Sequence, residues 1–229
     1  MDIPILHIDD HCIVVSKPPG VLVHTFSHQS ETDTIVSWAK EMFPEVAEVG
    51  DDLLYRPGVV HRLDRETSGA LIIARTQSFY THIKKEFLER RVEKVYLGIV
   101  HGEVREGGKI DAAIGLVHGS TRRSTHGQKM RKEALTFYEP IKVFEWQKQI
   151  FSLVKIMPKT GRTHQIRVHM NSINHPIVGD KLYSPKKNKH LPFPRHLLHA
   201  FSISFLDILG ERKEVEAPLW SDMNDLISL

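Results

Sequence analysis

The chain has 229 residues, of which 41% are hydrophobic and 26% charged, the proportions of an ordinary globular protein and not of a disordered or fibrous one. Its one cysteine, Cys12, excludes an internal disulfide or a multi-cysteine zinc cluster and fits a reducing compartment. Met1-Asp2-Ile3-Pro4 has no signal-peptide pattern and no apolar run approaches the roughly 18 residues of a membrane span, so a cytoplasmic protein without membrane attachment is expected. A net charge of +3 says little about nucleic acid by itself; where the cations cluster says more.

Two short apolar runs, 4–8 and 12–16, flank Asp9-Asp10 and predict a hairpin. Lys17-Pro18-Pro19-Gly20 ends the second strand in a rigid turn, which gives Lys17 a structural part. Val21-Leu22-Val23-His24 resumes an extended path. Asp33 or Thr32 is placed to cap a helix carrying Ile35, Trp38, Ala39 and Met42 on one face, and Pro44 to stop it. Residues 45–58 predict a loop. Beyond it stands His61-Arg62-Leu63-Asp64-Arg65-Glu66-Thr67-Ser68-Gly69, then a strand over 69–75. In extended chain Arg62 and Asp64 face the same side, and an arginine that close favours the ionised carboxylate.

Thr76 opens a helix whose Phe79, Ile83 and Phe87 form a core-facing stripe, with Lys84, Lys85, Glu86, Glu89 and Arg90 outside. A strand over 93–102 follows, Lys94, Tyr96 and Gly98 alternating with Val95, Leu97 and Ile99. Residues 103–131 predict a long loop broken by a short strand near 110–114. Two further strands lie over 134–138 and 149–156. Gly161 turns the chain and Thr163 is placed to cap a helix on which Thr163, Ile166 and Arg167 share a face. His164, His169 and His175 lack the i, i+4 spacing of zinc helices and have no carboxylate or cysteine companion nearby in sequence. Asn174 tolerates a left-handed backbone. A strand over 196–205, a turn at Gly210, a strand over 213–216 and a helix capped by Ser221 complete the chain. Residues 118–132 and 181–195 are basic runs without an acid; Tyr183 and Phe193 lie in the second, and both suit a phosphate backbone.

His-Arg-Leu-Asp-x-x-Thr-Ser-Gly resembles the catalytic signature of pseudouridine synthases of the RluA type, which isomerise uridine within ribosomal or transfer RNA. Five further stretches agree with the resemblance: Lys-Pro-x-Gly-x-x-Val-His from Lys17 to His24, Lys94-x-Tyr96, Lys132-x-Ala134-x-Thr136, the run from Pro158 through His175-Pro176 to Tyr183, and Ala217-Pro218-Leu219. It implies an α+β fold, a mixed and mainly antiparallel central sheet flanked by helices and loops, in a single catalytic domain spanning 1–229 without a separate N-terminal RNA-binding domain. It implies Asp64 as the catalytic aspartate, Arg167 as its salt-bridge partner, Tyr96 against the target base and Ile166 as an apolar contact. Arg62, Lys94 and Thr67 belong to the same matched elements and are assigned to substrate binding, with Arg62 able to fill the space that a flipped base leaves. Family members carry an RNA-contacting insertion where the 103–131 loop falls, which makes Arg122, Arg123 and Lys129 the candidate RNA contacts.

The expected activity is isomerisation of specific uridines in structured rRNA or tRNA by a monomer that needs no cofactor and no metal, since no redox change or external atom enters the reaction. Three rivals are a binding-only relative, an RNA chaperone, and a metal-dependent hydrolase built on the 15 histidines. The intact Asp64, Arg62, Tyr96 and Arg167 argue against the first, and Asp64→Asn separates the second. Spacing argues against the third.

Overall fold

Among the described residues, apolar runs alternating with charged turns build 12 strands and four helices. In chain order these are β1 (Ile5–Ile8), β2 (Cys12–Lys17), α1 (Ile35–Met42), β3 (Ser68–Ala74), α2 (Gln77–Leu88), β4 (Glu93–His101), β5 (Gly108–Asp111), β6 (Ile114–Leu116), β7 (Arg123–Ser124) and β8 (Lys129–Lys132). Then come β9 (Leu135–Trp146), β10 (Gln149–Pro158), α3 (Gln165–Ser172), β11 (Leu198–Leu206), β12 (Arg212–Glu216) and α4 (Ser221–Ile227). The computed structural model describes residues 1–25, 33–120 and 122–228. They form two units, Met1–Glu93 with Ala200–Pro218, and Lys94–His199 with Leu219–Leu229. The fold class is the expected α+β, with every strand pairing given below antiparallel.

In the first unit β2 pairs antiparallel with β1 on one side and with β3 on the other, in a register that sets Cys12 opposite Ala74 and Lys17 opposite Gly69. β2 and β3 are buried along their whole length, which is why both are near-continuous apolar runs with no polar alternation. β11 lies next to β3, with β12 on β11's antiparallel edge. Gly69, at φ +110°, is required here: a Cβ would sit 2.2 Å from the carbonyl oxygen of Ala200, a contact no side chain survives. Thr76 caps α2 by accepting from the N–H of Phe79, and Phe79 and Ile83 enter a core with Val14, Ile72, Ile203 and Phe205. Each such fully buried side chain contributes roughly 1.5–3 kcal/mol.

The second unit carries the sheet order β4-β10-β9-β5 and a small sheet ordered β7-β6-β8. β9 and β10 form a hairpin whose two turn residues, Gln147 and Lys148, both have positive φ (+48° and +59°), as a tight hairpin turn matched to strand twist requires. Val100, Val154, Ile156, Met170 and Ile177 form the core. Arg195, only 3% exposed, makes a two-pronged ion pair with Asp222 at 2.6 and 2.8 Å and so ties its loop to α4.

Several local expectations are corrected. α1 is capped by Thr34 through a reciprocal capping box with Ser37, not by Asp33; Thr32 lies outside the described residues. Residues 44–48 form a 3-10 turn within the expected loop. Glu86 is buried on α2 because Arg91 chelates it. The 103–131 loop contains β5 to β8, and β9 runs on to Trp146. α3 is preceded by His164 in a left-handed conformation and not by a capping Thr163, and α4 starts after Trp220, not after Ser221. Asn174 does adopt a left-handed backbone, φ +63°. Among the described residues no helix is long and apolar enough to cross a membrane.

Candidate active site

In the first unit the signature forms a short turn ahead of β3, closed by the N–H of Thr67 on the carbonyl of Asp64 at 3.1 Å. His61 anchors one end: its Nε2 accepts from the N–H of Ile72 at 3.0 Å, and its ring stacks on Phe87 at 4.9 Å. The other end is held by Lys17. This lysine is completely buried, and its ammonium donates to the carbonyls of Pro18, Val21 and Arg65 at 2.7–2.8 Å. Arg65 returns two bonds to the same turn, Nε donating to the Gly20 carbonyl at 2.9 Å and its own carbonyl accepting from Gly20 N–H at 3.0 Å. The Lys-Pro-Pro-Gly turn is therefore a clamp on the residue after Asp64, which gives physical content to the structural role expected of Lys17. The outcome is a half-buried Asp64, an exposed Arg62 and a buried Thr67.

His24, from the same matched element as Lys17, is buried with Nδ1 2.9 Å from the Thr25 carbonyl. Burial holds its pKa below the ordinary histidine value, and the charges of Arg62 and Arg56 push the same way. Both effects favour the neutral imidazole beside Arg62.

In the second unit Ile166 is buried in the core cluster against which Tyr96 packs. These two predicted residues are brought together. Lys94 sits at the start of β4, where burial, with the charge of Lys159 adding to it, pushes its amine down to about 8. Arg167 is 7% exposed and grips Asp180 bidentately, Nε to Oδ2 at 2.7 Å and Nη2 to Oδ1 at 3.0 Å. Burial alone would raise the Asp180 carboxyl, but Arg167 and the Tyr183 N–H outweigh it and hold it below the usual carboxylate range. Fixing a guanidinium this way orients its remaining donors at little further entropic cost.

Tyr183 joins these groups. The guanidinium carbons of Arg167 and Arg122 lie 5.1 and 5.3 Å from its ring centroid, within cation–π range. Its hydroxyl accepts from the N–H of Arg123 at 3.3 Å and stands 2.9 Å from His164 Nδ1. Arg122 is thus engaged on an aromatic face, Arg123 is half-buried on β7, and Lys129 is exposed on β8. His24, Asp180 and Tyr183 stand within matched elements, and their part as supports is visible only in the fold, where Asp180 and Tyr183 meet Arg167.

The three candidate metal histidines are each committed to hydrogen bonds: His164 to Tyr183, His169 to the Thr136 hydroxyl and the Ala112 carbonyl, and His175 to the His101 carbonyl. Among the described residues one group with metal-ligand chemistry gathers elsewhere, His7, Asp9 and Cys12, with donor atoms within 4.8 Å. A turn accounts for it. Asp9 Oδ1 accepts from the N–H groups of His11 and Cys12 at 2.8 Å, and Oδ2 is 2.9 Å from His7 Nε2.

A family model described as RNA pseudouridylate synthase matches residues 11–172. An uncharacterized RNA pseudouridine synthase of Bacillus subtilis, YlyB, is 36% identical over 99% of this chain and 72% of its own length. Ribosomal large subunit pseudouridine synthase D of Pseudomonas aeruginosa is 33% identical over 100% of this chain and 72% of its own. Among solved structures, human RNA Pseudouridylate Synthase Domain Containing 1 superposes with a TM-score of 0.79 at 27% identity, covering 97% of this chain and 86% of that one.

Proposed function

The chain belongs to the RNA pseudouridylate synthase family, isomerases that act on RNA, and from that premise we propose that it converts specific uridines of structured ribosomal or transfer RNA, with Asp64 as nucleophile. The observation that carries the assignment is the intact signature His61–Gly69 inside a match that covers most of the chain. The relative from P. aeruginosa is named for the ribosomal large subunit, which makes ribosomal RNA the first substrate to test. The whole chain, 1–229, is proposed to act as one catalytic domain, as a cytoplasmic monomer.

The reaction breaks the N1–C1′ bond, rotates the base and joins C5 to C1′; the C5 proton is lost and N1 gains one. Electrons and atoms balance without a cofactor or metal. The protein must supply an ionised carboxylate to attack, a way to hold the base out of its stack and an acceptor for the C5 proton. Asp64 takes the first role, at either the ribose or the base. Arg167 is the cation proposed to keep it charged, and its pairing with Asp180 fixes the guanidinium for that task. Arg62, exposed on the signature turn, takes the second role. Tyr96 offers a ring to stack on the uracil and a phenol as proton acceptor, with Ile166 in the same apolar cluster. Lys94 and Thr67 complete the proposed substrate contacts, and Arg122, Arg123 and Lys129 the RNA contacts outside the reacting base.

The test is a pseudouridine map of total RNA from cells lacking the gene, rescued with wild type or Asp64→Asn. A site that vanishes on deletion and returns only with wild type fixes reaction and substrate together. Purified Asp64→Asn should lose turnover by at least about 10⁴-fold, the scale seen when a covalent nucleophile is removed, while still binding RNA. Wild-type protein that turns over no RNA sinks the proposal.

A further inference from the structure

A cavity of about 150 Å³ opens in the second unit between β8, the Arg123 strand β7 and the segment before α3, lined by Arg123, Lys132, Arg162, Thr163 and Gly161, with Ile114 and Met130 as its apolar wall. We propose that it seats one phosphate of the RNA backbone, away from the reacting uridine; the inference rests on the pseudouridine synthase reading and names where that enzyme grips its substrate.

Three observations converge. First, three cations surround one small concavity, and none of the three makes an ion pair with a carboxylate among the described residues. Like charges around a shared cavity repel one another, and a single anion in their midst would relieve all three. Second, the donor chemistry suits a phosphodiester: a guanidinium pair for its oxygens, an ammonium as a point charge, and the hydroxyl of Thr163. Third, the walls are held before any ligand arrives. Arg162 spends Nε on the Glu133 carbonyl at 2.9 Å, joining the segment before α3 to the end of β8. The Tyr183 hydroxyl bonds both the Arg123 N–H and His164, joining the same segment to β7. Loose surface lysines lack that bracing; contacts of this kind position nucleic acid without reading its sequence.

Arg122 and Arg123 are thereby distinguished. Arg122 stacks on Tyr183 and donates to its carbonyl at 3.4 Å, whereas Arg123 faces the cavity. Lys132, from the same basic run, and Arg162, which lies outside it, join Arg123 as the functional set.

The experiment measures binding of a fluorescein-labelled RNA hairpin by anisotropy between about 50 and 200 mM salt, with Arg123→Gln, Arg162→Gln, Lys132→Gln and the Arg123→Gln/Arg162→Gln double variant. Lys40→Gln, at an exposed position of α1, is the control. Each single cavity variant should weaken binding about 3- to 10-fold, and the double variant should lower the salt slope by about one, the value for a single phosphate. Lys132→Gln removes an exposed charge with no bonded partner among the described residues, so it remains informative if an arginine variant folds poorly. An unchanged slope in all variants overturns the seat, as does a loss of about two, which would mean separate phosphates. Inorganic phosphate is the second arm: if it raises the wild-type thermal midpoint, and the double variant abolishes that rise without changing the hairpin slope, the cavity is a free-anion site and the proposal fails. Tritium release from [5-³H]uridine-labelled total RNA by wild type judges the family reaction separately. Its absence would refute the synthase reading whatever the slopes show, and its presence with flat slopes would refute only the seat.

Discussion

Residues 118–132 and 181–195 are nearly indistinguishable by composition: five Lys or Arg residues each and no acid. The fold treats them in opposite ways. In 181–195 the arginine is buried against Asp222 and also donates to the carbonyls of His196 and Leu198, and Asn188 is a buried knot bonding Ser184, Asp180 and Gly179. Of the run 181–195, expected to suit a phosphate backbone, Arg195 is buried and committed to this pair. In 118–132 the backbone makes a thin sheet with little core of its own, and Arg123 and Lys132 point into an unneutralised cavity. A count of cations cannot separate the two cases. An inventory of how far each cation is buried and of what it already bonds does.

The sharpest way to break that comparison is Arg195→Gln. Removing the buried guanidinium deletes its bonds to the partly exposed Asp222 and to two backbone carbonyls and should cost about 1–3 kcal/mol, read as a lower urea midpoint at constant m-value. Arg123→Gln should stay within about 0.5 kcal/mol, as surface charge changes do. At a temperature where both are folded, Arg195→Gln should leave the RNA salt slope intact. If Arg195→Gln proved neutral to stability but flattened the slope, the assignment of the two regions would be reversed.

The same inventory explains which parts of the molecule were legible in advance. The His61–Gly69 signature, the buried strand after it, the Thr76 cap and the left-handed Asn174 follow from local rules, since each needs only its own few residues. The elements that were missed depend on partners outside their own local pattern. Glu86 lies on the outward pattern of α2 and is pulled in by Arg91. Gln147-Lys148 makes a tight turn without the Asn-Gly that usually announces one, because the long β9–β10 register closes it regardless. The β6–β8 sheet hides in a glycine- and charge-rich stretch with no periodicity to find. At the candidate site the resemblance nominates the groups proposed to react and includes Asp180 and Tyr183 in a matched element, but their pairing with and stacking on Arg167 is defined by geometry and is visible only in the fold.

Tyr183 offers a finer test, because it belongs to the second region and serves the first. Tyr183→Phe keeps the ring beneath Arg122 and Arg167 and deletes only the hydroxyl that braces Arg123 N–H and His164. Leaving two polar groups without that partner should cost about 1–2 kcal/mol. It should also weaken hairpin binding without removing any charge, so affinity falls while the salt slope stays near wild type. A slope that fell as far as in Arg123→Gln would mean the hydroxyl, and not the cation, makes the phosphate contact.

The smallest effect concerns acid. His101 Nε2 bonds Asn188 at 2.9 Å, fastening the 181–195 knot to β4. Burial lowers its pKa, which the Asn188 bond opposes and the charge of Lys187 reinforces; His169 is likewise lowered by burial. A histidine whose folded pKa lies below its unfolded value takes up fewer protons folded than unfolded, so stability rises with pH through that interval. The stabilisation is complete above the unfolded value of about 6.5 and declines as pH falls from there towards the folded values. The urea midpoint should therefore drop between about pH 7.5 and about pH 5.5, and Lys187→Gln should shrink the drop by removing one of the causes. A drop of the same size in Lys187→Gln would show that Lys187 has no hold on His101, and one that appeared only in the RNA-binding slope would move the acid sensitivity from the knot of 181–195 to the cavity of 118–132.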